Sequence, residues 1–196
     1  PGAATTGTLQ VSTPAGITIA TGDVAFADPR SVTISGVNAA TKVYDGSATA
    51  TLSFTGAVIN GLVNGNALTI NSAGATGVFD NKNVGTGKTV TVTGAALAGT
   101  PIGAYFLSGI TATGTITARA LTVTANNNTK PYDGNTTAAA VPSITSGTVV
   151  SGDIANFIET YQDASAGTGK TLIPSGIVSD GNSGINYAYT FVNRTT

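Results

Sequence analysis

The sequence predicts an all-β fold built as two tandem modules, and three observations carry that expectation. Two blocks of residues occur twice at nearly constant spacing. Thr, Val, Ala and Gly are abundant while Leu is sparse, a bias towards strands and tight turns. Apolar and polar residues alternate with period two in several places, and no stretch of a dozen residues carries a convincing helical period.

The duplication is the clearest of the three. Thr41-Lys42-Val43-Tyr44-Asp45-Gly46 returns 88 positions later as Thr129-Lys130-Pro131-Tyr132-Asp133-Gly134. Gly85-Thr86-Gly87-Lys88-Thr89 returns 82 positions later as Gly167-Thr168-Gly169-Lys170-Thr171, and the aromatic pair Phe79 and Tyr105 returns as Tyr161 and Tyr187 at the same offset. A fixed period interrupted by a change in loop length is the mark of tandem modules, since turns tolerate length changes and core positions do not.

In chain order, Val32-Thr33-Ile34-Ser35 opens the first module as a short strand, and a Tyr-Asp-Gly turn follows. Ala48–Phe54 alternates and reads as the next strand. Asn60-Gly61 and Asn64-Gly65 mark loops or hairpins within residues 57–68, because both residue types tolerate positive φ. Lys88–Thr93 and Gly114–Ala118 have Val or Ile on one face and Thr on the other. Leu121-Thr122-Val123-Thr124 opens the second module as Val32–Ser35 opens the first. Asp153–Tyr161 is the best helix candidate, yet it lies opposite Asn71–Gly77, which is too rich in Gly and Ser for a helix. Strand or loop is expected there. The modules then span residues 31–120 and 121–196, each a small antiparallel β-sandwich or a β-grasp-like sheet. Residues 1–30 read as the tail of a preceding unit or as N-terminal strands. Thr196 falls opposite Gly114, so the second module is expected to be truncated, and the start at Pro1 reads as a segment of something longer.

Composition narrows function. Charged residues make up 9% of the chain and the net charge is −1, so no basic field exists for nucleic acid or anionic lipid. No apolar run approaches the roughly 18 residues of a membrane span. The absence of Cys, His, Met and Trp removes thiolate and imidazole chemistry and most transition-metal ligation. Neither an enzyme nor a cofactor is expected.

The repeated residues read as structural. Gly-Thr-Gly-Lys-Thr ends like a phosphate-binding loop, but the first Gly of that motif would have to stand at Lys82 or Ala164, and a strand follows instead of a helix. Asp180-Gly181-Asn182-Ser183-Gly184 begins like a calcium loop, yet Phe191 stands where the bidentate Glu belongs. A plain turn is the expectation, with a weak surface calcium site as the alternative. Tyr44-Asp45-Gly46 and Tyr132-Asp133-Gly134 have the parts of a rigid turn, each pinned to its own module by the Tyr ring. Lys42, Lys88, Lys130 and Lys170 sit at repeated positions, with Asp45 and Asp133 as the expected partners. A self-formed Lys–Asn or Lys–Asp amide crosslink would need a neighbouring acid, and the sole Glu, Glu159, has no counterpart in the first module. Asn127, Asn135 and Asn193 open Asn-x-Thr triplets that chance explains in so Asn- and Thr-rich a chain.

The blocks Lys42–Ala50 and Phe79–Val90, followed by Ala104-Tyr105 or Asn186-Tyr187, resemble the YDG-type repeats of large bacterial filamentous-haemagglutinin-like adhesins. The resemblance implies export to the bacterial cell surface, often by two-partner secretion, and a spacer role in a long stalk that projects a binding region, with neighbouring repeats as partners. It implies no catalytic residue. The rival expectation is a module that binds glycan or host protein through exposed Tyr187 and Tyr189 and the loop Asn126–Asn128.

Overall fold

A computed structural model describes residues 28–63 and 65–196, together with the backbone of Thr6–Gly7 and Val24–Ala25. These last two, β1 and β2, pair antiparallel. The rest of residues 1–27 and Asn64 lie outside the described residues, and so therefore does most of what was expected of residues 1–30.

The first unit comprises β3 (Arg30–Ala39), β4 (Lys42–Val43), β5 (Thr49–Ala50), β6 (Leu52–Ser53), β7 (Val58–Asn60), β8 (Ala67–Asn71), β9 (Thr76–Phe79), β10 (Gly85–Thr93), β11 (Ala96–Thr100) and β12 (Tyr105–Thr117). One short 3-10 turn, Ile102–Ala104, precedes β12. The second unit comprises β13 (Arg119–Thr124), β14 (Ser143–Ser146), β15 (Ile154–Tyr161), β16 (Thr171–Ser179), β17 (Tyr187–Val192) and β18 (Arg194–Thr195). The all-β expectation holds, and the Asp153–Tyr161 segment is a strand from Ile154 onwards, with Phe157, Glu159 and Tyr161 buried.

Two features of the expected fold are corrected. The sheets are mixed, not antiparallel throughout: β12 runs parallel to β3 with Tyr105 opposite Arg30, and β17 runs parallel to β13 with Arg119 opposite Tyr187. A parallel pair needs a long crossover, and the strands between the first and last of each unit supply it. Ala48–Phe54 is not one strand but two, β5 and β6, separated by Thr51 alone. β5 pairs with β9 and β6 with β3, at opposite edges of the order β5-β9-β10-β12-β3-β6. Adjacent segments that pair with opposite edges draw the sheet round on itself, a closure that removes exposed edges. Ile34, Val37, Phe79, Val90, Ala112 and Ile116 fill the interior. Gly114 is needed there, because a Cβ would lie 2.7 Å from the Ala39 side chain and 2.9 Å from the Phe79 ring.

The two units repeat one another in register. Phe79 lies opposite Val90 as Tyr161 lies opposite Leu172, and Val90 lies opposite Ala112 as Leu172 lies opposite Arg194. Only Ala118 separates β12 from β13. Leu121, Val123, Phe157, Val178 and Tyr187 of the second unit belong to the same buried cluster as the interior of the first. The hydrophobic core is therefore continuous across the boundary.

Candidate functional site

The candidate site is this boundary, and the Tyr-Asp-Gly turn of the first unit builds one side of it. Lys42 and Val43 run parallel to Ile116 and Thr117, and the Tyr44 amide donates to the Thr117 carbonyl at 2.8 Å. The turn is thereby held beside the crossing into the second unit. Asp45 accepts from the Ser47 amide at 2.9 Å and pairs with Lys42 at 2.7 Å, while Gly46 adopts φ +80°. That φ is one that residues other than Gly rarely adopt.

Tyr44 does not pack into its own module alone. Its ring is fully buried, edge-on to Tyr187 of the second unit with centroids 5.5 Å apart. Its hydroxyl donates to Oδ2 of Asp153 at 3.1 Å, and the Tyr187 hydroxyl donates to the same oxygen at 2.6 Å. The Tyr187 hydroxyl also accepts from the Val150 amide at 2.9 Å, so the turn before β15 is fixed by the same ring. A carboxylate serving two phenols is a charge-assisted arrangement, stronger than neutral hydrogen bonds. Burial pushes the Tyr187 phenol well above its ordinary value, and the hydrogen bond to Asp153 adds to the rise. Burial raises Tyr44 as well, with Asp153 again adding to it.

Other groups close the joint. Lys82 lies 5.8 Å from the centre of the Tyr44 ring, with its Nζ 3.9 Å from Asp153 Oδ1. Arg119, at the start of β13, donates to the Thr148 carbonyl at 2.7 Å, to Thr148 Oγ1 at 2.6 Å and to the Tyr44 carbonyl at 3.4 Å. Asn186 is completely buried. Its Oδ1 accepts from the Val84 amide at 3.0 Å and from Asn182 at 2.9 Å, and its Nδ2 donates to Asn83 Oδ1 at 3.2 Å. A buried amide with its partners on two units orients one against the other, because leaving any of its groups unpaired is costly.

The loop carrying Asn186 is shaped by Asp180. Its carboxylate accepts from the amides of Asn182 at 2.7 Å, Gly184 at 2.9 Å and Asn186 at 3.0 Å, and Ser183 takes φ +55° between them. Burial works to raise this carboxyl, but the three amide hydrogen bonds outweigh it and hold Asp180 below the usual range. Both oxygens thus face the loop's own backbone, as a turn requires. Among the described residues no cluster of three or more acidic groups could hold a metal ion.

The second Tyr-Asp-Gly turn has the same clasp, lacks the strand pairing that flanks the first, and has a different fate. Lys130 pairs with Asp133 at 2.8 Å, the Asn135 amide donates to Asp133 at 3.1 Å, and Gly134 takes φ +76°. Yet Tyr132 is 72% exposed. The expectation that each Tyr is pinned to its own module alone is corrected: Tyr44 is buried in a cluster shared by both units, and Tyr132 packs into neither core. Tyr132 borders a groove of about 270 Å³ lined in part by Asn128, Lys130, Asp163, Gly167 and Lys170.

Of the repeated lysines, Lys42 and Lys130 have the expected Asp partners, but Lys88 and Lys170 do not. Lys88 pairs with Asp80 at 2.7 Å and Lys170 with Asp163, so Gly-Thr-Gly-Lys-Thr is the clasp of a second turn. Its Gly87 and Gly169 both have positive φ. The tyrosines expected to be exposed are not: Tyr187 is buried, and Tyr189 is half-buried, accepting from Val178 at 2.8 Å and stacking on Phe191 at 5.8 Å. Glu159 is buried and accepts from the Asn126 amide at 2.8 Å. Asp153, Asn186 and Arg119 were not singled out from the sequence. Asp153 carried one available signal, since Ser151-Gly152-Asp153 parallels Asn64-Gly65-Asn66 in the first copy.

A mixed β unit that occurs twice in tandem, with the motif turn of the first packed on the second, defines a tandem-repeat β protein. The YDG domain family matches residues 28–113 and again residues 117–196, so the chain belongs to that family, in two copies. No curated protein and no solved structure matches the chain.

Proposed function

We propose that these two YDG domains are spacer repeats in the stalk of a large secreted bacterial surface adhesin of the filamentous-haemagglutinin-like, two-partner secretion type, holding a binding region away from the cell. The role is mechanical and involves no catalysis. The observation that carries the reading is the joint: Tyr44 of one domain is buried against Asp153 and Tyr187 of the next, across a connection of one residue. A shared core and a one-residue connection restrict rotation between neighbours, and repeat arrays propagate stiffness through such nearest-neighbour contacts. Thr-rich outer faces and low charge suit a long chain that must stay hydrated without attracting polyelectrolytes.

Small-angle scattering tests this. The spacer reading expects one fixed inter-domain geometry, with a maximum dimension close to two domain lengths and unchanged between low and high salt. A broad distribution of inter-domain distances would overturn it. A second reading, binding of glycan or host protein, draws support from the groove beside exposed Tyr132. Saturable binding of this chain on a glycan array would favour that reading over the spacer.

A further inference from the structure

The joint uses a projecting turn on one domain and a receiving face on the next. The projecting side consists of Tyr44, Gly46 and the backbone amide of Val84. The receiving side consists of Val150, Asp153, Asn186 and Tyr187. Such an interface joins two different surfaces, so it does not close on itself and the projecting side of the second domain is not used by the first. The second domain presents its own projecting side. Tyr132 and Gly134 occupy the places of Tyr44 and Gly46, the Lys–Asp clasp beneath them is the same, and Ala166 occupies the place of Val84. Tyr132, Gly134 and Ala166 are all exposed, whereas Tyr44 is buried and Gly46 and Val84 are half-buried. A Cβ on Gly46 would meet Val150 at 2.7 Å, while one on Gly134 would meet only the Tyr132 hydroxyl, at 4.0 Å.

We propose that the Tyr132–Gly134 turn is the docking surface for one further YDG domain, a copy of the second domain whose Asp153 and Tyr187 receive the Tyr132 phenol and whose Asn186 receives the amide of Ala166. The same joint then recurs along an array. The partner's chemistry follows from the established joint: a carboxylate and a buried phenol to bind the hydroxyl, and a side-chain amide to bind the backbone. Two differences set the strength. Ser165 stands where the first domain has Asn83, so the amide oxygen that accepts from Asn186 is missing. Ala164 stands where the first domain has Lys82, so the new joint lacks the cation that lies over the Tyr44 ring near Asp153. It is the weaker of the two. The inference rests on the spacer reading for its place in a longer array, but its test does not use scattering and can fail independently.

The experiment extends the full chain after Thr196 with a second copy of residues 115–196, and follows tyrosine nitration by mass spectrometry. In the unextended chain Tyr132 is the exposed one of six tyrosines and reacts fastest. In the extended chain nitration of Tyr132 slows several-fold, and the corresponding Tyr of the appended copy becomes the reactive one. Ala164→Lys in the extended chain slows Tyr132 nitration further, and Asp153→Ala placed in the appended copy alone restores it. Undiminished nitration of Tyr132 beside a folded appended domain would overturn the proposal. So would equal protection from appending residues 115–118 alone, since a strand laid in the groove would then cover the ring. An appended domain that stays unfolded while the first two are folded would also count against it.

Discussion

The two Tyr-Asp-Gly turns form a controlled comparison within one molecule. Their clasps are alike, with Lys–Asp distances of 2.7 and 2.8 Å and glycines at φ +80° and +76°. Their tyrosines differ widely, one fully buried and the other 72% exposed. The Lys–Asp clasp is therefore not what buries the ring. The pairing of Lys42 and Val43 with β12 and the face of the neighbouring domain do that together, and the second turn has neither.

The comparison breaks most sharply under truncation of the rings. Tyr44→Ala removes a buried aromatic and leaves Asp153 short of a donor, so it costs about 3–5 kcal/mol in urea unfolding. Tyr132→Ala, on an exposed ring, stays within about 0.5 kcal/mol. Equal losses at both sites would mean that the motif serves its own domain. Next in size is Asp153→Ala, which strips the acceptor from both phenols and costs about 2–3 kcal/mol, measured in the same way.

The glycines sharpen it further. Gly46→Ala and Gly134→Ala share the backbone strain of a left-handed residue, about 1–2 kcal/mol. Only Gly46→Ala adds the clash with Val150, so it must be the more damaging of the pair; thermal melts of both variants decide this. The smallest effect is pH-dependent. The Tyr44 and Tyr187 phenols titrate above the ordinary value of 10.0 in the folded chain, so their contribution is complete below that pH. It is lost as pH rises through the raised values, because the unfolded phenols ionise first. Asp153→Asn imitates Asn66, whose Nδ2 donates to the Tyr105 hydroxyl at 2.6 Å and holds that phenol below its ordinary value. The variant lowers the pH at which Tyr187 ionises, as followed by ultraviolet absorbance, and leaves Tyr105 unchanged.

Much of the fold was legible in the residues. Alternation placed Lys88–Thr93 and Gly114–Ala118 on strands, the second running one residue past the end of β12, and the mismatch between the Asp153–Tyr161 segment and its Gly-rich counterpart argued correctly against a helix. The clasps Lys42–Asp45 and Lys130–Asp133 were legible because their partners stand three residues apart. Lys88 and Lys170 were paired less well, since their partners lie across a turn, in Asp80 and Asp163. The parallel pairing of first and last strands carries no period or turn residue by which to read it. The joint was hidden for the same reason: the acceptor of the Tyr44 hydroxyl is 109 residues away.

The sequence by itself determined the duplication, the β character and the shape of each Tyr-Asp-Gly turn, because alternation, glycine φ and short-range ion pairs act over a few residues. Only the tertiary structure decided which tyrosine is buried and that one buried cluster spans both domains. Burial depends on surfaces brought together from distant parts of the chain, and two like clasps differ once only one of them is paired to β12 and has a neighbour to meet.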